Sequence, residues 1–139
     1  MMRTPHAARA LAAATLTLAG ASLLGAADAA ACDRWRADHN GSTMRVVKCG
    51  GALTISYARP RPGMRRQGVV SGEMLFDGSV SRGRVRGQAA VFKRGCGPAW
   101  YFVSGRMSPS GRITLSGRAP VRGAGCRTTR SRDDYLVFD

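Results

Sequence analysis

The side chains that carry most reaction chemistry are scarce in this chain. It has two histidines, His6 and His39, a single glutamate, Glu73, and four cysteines. Only Asp38-His39-Asn40-Gly41-Ser42 sets a histidine, a carboxylate and a hydroxyl side by side, so a hydrolase reading has to begin at His39. Sequence neighbours in a turn rarely acquire the mutual geometry of nucleophile, base and orienting group. Asn40-Gly41 is a strong turn signal, and Asp38 and Ser42 suit the local side-chain to backbone bonds that cap such a turn. The segment therefore reads as a structural turn and no catalytic residue is assigned. Glu73 and Asp77 would share one face of a strand about 13 Å apart, too far for a glycosidase carboxylate pair. No C-x-x-C occurs, and no His or second Cys stands at zinc-ligand spacing, so neither a metal nor a cofactor is expected.

Binding chemistry is better supplied. Lys and Arg number 22 against 8 Asp and Glu, a formal charge of +14. The densest cluster is Arg59-Pro60-Arg61-Pro62-Gly63-Met64-Arg65-Arg66. Two prolines would hold it partly extended, so that Arg59, Arg61, Arg65 and Arg66 can grip phosphates or carboxylates bidentately. Scattered charge serving only solubility is the competing reading, and Arg84, Arg86, Arg106 and Arg112 form the comparison set. A second candidate is an aromatic platform of Phe92, Trp100 and Phe102 beside Arg118, suited to stacking a sugar or a base. Its competitor is burial of those rings under Trp35 and the N-terminal residues.

The elements that position these groups are strands. The first 29 residues read as a cleaved signal peptide: Arg3 and Arg9 flank a basic start, an uncharged run follows from Leu11 to Ala26, and Ala27-Asp28-Ala29 supplies a small-residue cleavage site. Cleavage is expected after Ala29, with Ala29-Ala30-Ala31 as the second choice. The apolar run is shorter than the roughly 20 residues of a membrane span. Removing Arg3, Arg9 and Asp28 from the totals leaves 20 basic and 7 acidic residues in a single domain, 30–139. Cys32, Cys49, Cys96 and Cys126 lie in this exported part, as expected where thiols are oxidised. Of the three pairings, Cys32 with Cys49 and Cys96 with Cys126 tie neighbouring segments and are favoured, each closure contributing roughly 3 kcal/mol on the loop-entropy argument.

Within 30–139 no window shows helical apolar spacing, whereas alternation recurs between glycines. Leu53, Ile55 and Tyr57 alternate with Thr54 and Ser56, and Ile113 and Leu115 with Thr114 and Ser116. Further strands are expected over 42–48, 72–80, 85–93, 99–108, around Val121 and over 135–138. The fold class is thus all-β, a small antiparallel up-and-down barrel or two-sheet sandwich of about eight strands, stapled by disulfides. Side-chain parity pairs Val103 with Gly117, Gly105 with Leu115 and Met107 with Ile113. In the preceding hairpin it sets Met74 opposite Val91, Phe76 opposite Ala89 and Val80 opposite Val85, with a turn at Ser81 to Arg84. Ser-Gly-Arg recurs at 104–106, 110–112 and 116–118 as hairpin symmetry, which would align an exposed row of arginines.

Trp35, His39-Asn40-Gly41-Ser42-x-Met44, Tyr57-x-x-Pro60-Arg61-x-Gly63-Met64, Gly68-Val69, Leu75-Phe76-x-Gly78 and Gly95-Cys96 together give the chain a further character. Over residues 35–138 it resembles a group of small secreted alphaproteobacterial proteins with no established activity. Similar modules occur alone and at the ends of larger exported proteins, some with caspase-like peptidase domains. The resemblance implies a secreted β module and supplies no mechanism. Composition and resemblance lead to one expectation: an exported, periplasmic or extracellular, non-enzymatic protein that binds an anionic envelope component (cell-wall glycan or lipopolysaccharide) or an acidic protein through its basic surface. Nucleic-acid binding is the first alternative, opposed by export and by the lack of a reading motif. A hydrolase using His39 is the last.

Overall fold

The computed structural model describes residues 31–139, so the expected signal peptide and the expected cleavage after Ala29 lie outside the described residues. Eight strands run in sequence order through one antiparallel sheet: β1 (Cys32–His39), β2 (Ser42–Cys49), β3 (Ala52–Arg59), β4 (Met74–Ser81), β5 (Arg84–Val91), β6 (Ala99–Met107), β7 (Ile113–Arg122) and β8 (Thr128–Phe138). One short helix, α1 (Pro62–Arg66), and a 3-10 turn at Ala124–Cys126 interrupt the meander. No β1–β8 ladder forms, yet Asp38 and Asp139 exchange two backbone hydrogen bonds of 2.7 and 3.1 Å, so the two edges of the sheet are joined at one point. Among the described residues no helix is long and apolar enough to cross a membrane.

The count of eight strands agrees with the expectation, although its composition differs. Residues 32–39 form a strand that was not expected, and the stretch around Val121 continues β7 rather than standing alone. The first was hidden because Asp33, Arg34, Arg36 and Asp38 crowd the segment with charge, leaving Trp35, Ala37 and His39 as its inward positions. The second was hidden by Pro120, which lacks a ladder donor and ordinarily argues against a strand.

Alternation decides the two faces. Met44, Val46, Leu53, Ile55, Phe76, Val85, Ile113, Leu115 and Phe138 are all fully buried on the inner face. The turns fix this register. Asn40-Gly41 and Arg82-Gly83 are two-residue hairpin loops with both residues at positive φ, between the paired residues His39 and Ser42 and between Ser81 and Arg84. Such loops match the right-handed twist of the strands they join. The expected pairs Phe76 with Ala89, Val80 with Val85, Val103 with Gly117, Gly105 with Leu115 and Met107 with Ile113 are all present. Met74 opposite Val91 is not: the β4–β5 ladder ends at Phe76, and Met74 is partnered by Ser56 across a register shift in β3–β4. That irregularity buries both Leu75 and Phe76, and it leaves Glu73 outside the strand that carries Asp77.

Inward glycines let the sheet curl. A Cβ at Gly78 would lie 2.7 Å from the Gly87 Cα and 2.7 Å from the Phe76 ring, whose edge occupies the space that the two glycines vacate. Both expected disulfides are formed, Cys32 to Cys49 directly across β1–β2 and Cys96 to Cys126 between the β5–β6 and β7–β8 connections. A crosslinked small domain of this kind fits an oxidising compartment.

Candidate functional site

The proline-arginine segment is not extended. Pro62, with φ already set for a helix, occupies the first turn of α1, and Arg61 is its N-cap residue. Met64 and Val69 then pack against the core, which fastens the segment to the domain. Two of the four expected anion ligands have structural partners there: an Arg65 guanidinium nitrogen donates to the Pro60 carbonyl at 2.7 Å, and Arg59 donates to Thr43 Oγ1 at 3.4 Å. Arg61 and Arg66 are exposed. Arg59 ends β3, Arg61 caps α1, and Arg65 and Arg66 lie within it, so the four do not form the extended grip that the prolines suggested.

Around the Asn40-Gly41 turn Asp38, His39 and Ser42 each have a partner. The Gly41 amide donates to Asp38 Oδ1 at 3.2 Å, and buried Ser42 Oγ accepts from the Arg61 amide at 2.9 Å. His39 Nδ1 lies 2.8 Å from the Val137 carbonyl, which makes it the protonated nitrogen, and the ring stacks on Phe138 at 4.7 Å. No hydrogen bond joins His39 to Ser42. The segment ties β1 and β2 to α1 and β8, the work of a turn and a seam. No group of three or more His, Cys, Asp and Glu able to hold a metal occurs among the described residues.

The aromatic platform is partly present and differs in membership. Phe102 is 79% exposed and Trp100 41% exposed, so this face is not covered by Trp35, which packs against the core from the other side of the sheet. Phe92 is not part of the platform. It lies one residue beyond β5, where strand parity no longer holds, and it turns inward to meet Tyr57 edge-on at 6.0 Å. Arg118 lines the groove that holds Phe102, as expected, but its guanidinium is paired with Asp133 at 2.9 Å.

What sequence reasoning missed lies next to this platform. Arg82, Arg84, Arg86 and Arg106, all exposed, line one depression together with Ser79 and Ser81. The register places them: Ser81 pairs with Arg84 and Arg84 with Arg106, while Ser79 pairs with Arg86. Among the described residues none of the four arginines makes an ion pair, although Arg112, Arg118 and Arg132 each have an aspartate. Arg84 directly opposite Arg106 is an unfavourable cross-strand pair. Arg82 adds a second local cost, since it holds φ +50° at a turn position that favours Asn or Gly. The depression thus gathers four guanidinium groups, each with five donors and none with an ion-pair partner among the described residues.

The signal in the sequence was the alternation Arg82-Gly83-Arg84-Val85-Arg86, which puts Arg84 and Arg86 on one face. Arg106 joins them only through the β5–β6 register, and the connection from 92 to 98 is too long to fix that register by turn geometry. No protein-family model, curated protein or solved structure matches this chain.

Proposed function

We propose that this protein is an exported, non-enzymatic module that binds an anionic partner through its basic surface, and that contact is centred on Arg82, Arg84, Arg86 and Arg106 rather than on the 59–66 segment. The observation that carries this reading is the unpaired state of four arginines gathered across two hairpins, while Arg112, Arg118 and Arg132 are each paired with an aspartate. Exposed guanidinium groups lose little hydration before contact, and serine hydroxyls at Ser79 and Ser81 add donors. The resemblance to secreted alphaproteobacterial modules and the two disulfides support export. Cell-wall glycan, lipopolysaccharide and acidic proteins are the partner classes this chemistry fits.

The test compares two quadruple replacements by alanine. Loss of Arg82, Arg84, Arg86 and Arg106 should weaken binding to an envelope extract, or to inorganic polyphosphate, at least tenfold at low salt. Loss of Arg59, Arg61, Arg65 and Arg66 should weaken it less. Equal losses from the two sets would show diffuse attraction instead of a site. Binding to the unmodified protein that persists unchanged in about 0.5 M salt, where exposed charges are heavily screened, would refute the electrostatic reading.

A further inference from the structure

The outer face of β4–β6 changes character along the strands. Ser81, Arg84 and Arg106 form one cross-strand row, and Ser79, Arg86 and Ser104 the next. The third row is Asp77, Gln88 and Phe102, and Trp100 follows opposite Ala90. The four rows span about 20 Å at 3.3 Å per residue. Charge is gathered at one end, while the other presents aromatic rings beside a carboxylate and a carboxamide, with Asp77, Gln88 and Trp100 lining a single hollow.

We infer that this face binds an acidic glycan, with a carboxylate or phosphate substituent of one sugar on Arg84, Arg86 and Arg106 and the neighbouring uncharged pyranose laid on Phe102. The inference rests on the anion-binding reading above and names the ligand class. Its geometry is local: Gln88 is directly opposite Phe102, so Arg86 is a diagonal neighbour of Phe102, about 7–8 Å away between backbones. That separation suits a charged group on one ring and a bare ring next to it. The aromatic end supplies what a sugar needs, a flat apolar surface for its C–H face and fixed acceptors and donors for its hydroxyls. The same end disfavours a nucleic-acid strand. A polyphosphate backbone continuing from the arginines across Phe102 would meet Asp77, which has no ion-pair partner among the described residues. A glycan charged only at alternate units avoids that repulsion.

The experiment is calorimetric titration of the full, oxidised chain at low salt with four probes. They are a hyaluronan hexasaccharide (alternating neutral and acidic sugars), neutral chitohexaose, inorganic polyphosphate and oligo(dT). The hexasaccharide should bind more tightly than chitohexaose. Phe102→Ala should weaken it about tenfold, the loss expected on truncating a stacked aromatic, and leave polyphosphate within twofold. Phe102→Tyr should restore binding. Because Phe102 is exposed, these variants should unfold with the parent. A hexasaccharide that does not bind while polyphosphate does, or that ignores Phe102→Ala, overturns the glycan assignment and leaves the anion-binding reading standing. Failure of both polyphosphate and hexasaccharide to bind overturns that reading as well. Oligo(dT) binding more tightly than the hexasaccharide, and weakening with Phe102→Ala, overturns the assignment in favour of single-stranded nucleic acid.

Discussion

If the arginine cluster is kept for binding, then a single replacement should improve the fold and damage function together. Arg106→Glu is the sharpest case. In the native sheet Arg84 and Arg106 are direct cross-strand partners on the exposed face, with no carboxylate paired to either among the described residues. Cross-strand charge pairs contribute roughly 0.2–1 kcal/mol relative to neutral ones, unfavourable when like and favourable when opposite. Exchanging repulsion for attraction should therefore stabilise the domain by about 0.5–1.5 kcal/mol, toward the lower value because both groups are solvated. For a domain of this size that raises Tm by about 3–8 °C. Arg86 and Arg82 add to the gain, since the new carboxylate enters their field as well. Binding should move the other way, because the site loses one cation and acquires an anion facing the ligand, and a loss of more than tenfold in affinity for polyphosphate is expected. The assay is thermal unfolding by circular dichroism at low salt beside calorimetric titration of the same sample. In 0.5 M salt the gain in Tm should shrink. A variant that melts below the parent would show that Arg106 supports the sheet, and one that binds as the parent does would remove the cluster from the binding surface.

Three further outcomes follow from particular contacts. Arg82→Asn, which puts a residue tolerant of φ +50° at the head of the β4–β5 turn, should stabilise the domain by roughly 0.5–1 kcal/mol and weaken polyphosphate binding, read in the same paired assay. Gly105→Ala should prevent folding or lower Tm by well over 10 °C, since its Cβ would lie 1.8 Å from the Thr114 carbonyl oxygen on the adjacent strand; a variant that melts with the parent would mean the β6–β7 pairing differs from the one described. Stability should fall in strong alkali. Burial pushes the Tyr57 hydroxyl up to about 12 from its usual 10, against a lowering influence from Arg61. Burial, followed by the hydroxyl's donation to Asp134, shifts Tyr101 in the same direction. The folded chain thus keeps protons that the unfolded chain releases above pH 10, so stability is full below pH 10 and declines as pH rises toward 12, by roughly 2–3 kcal/mol for Tyr57 alone. Tyr57→Phe should flatten that decline in denaturant titrations at pH 9 to 12.

How far the sequence could lead is explained by which interactions are local. The disulfide pairing and the Asn40-Gly41 turn were legible because short-range geometry decides them. So was the β6–β7 register, since only the five residues 108–112 connect its arms and apolar groups at 103, 107, 113 and 115 must face the same way. The first strand was illegible because its inward residues are Trp35, Ala37 and His39, a set whose burial depends on Met44 across the hairpin and on Phe138 and the Asp38–Asp139 junction far along the chain. Phe92 was misplaced because parity was carried one residue past the end of β5. The arginines were the instructive case. A run of cations dense in sequence, at 59–66, was folded into a helix and spent partly on carbonyl and hydroxyl oxygens. A run diluted by Gly83 and Val85 was concentrated by strand pairing with Arg106, twenty residues away. Sequence density measures charge along the chain, but a ligand meets charge across the sheet, where neighbours are about 5 Å apart whatever their separation in sequence. Only the register of β5 against β6 converts the first distribution into the second.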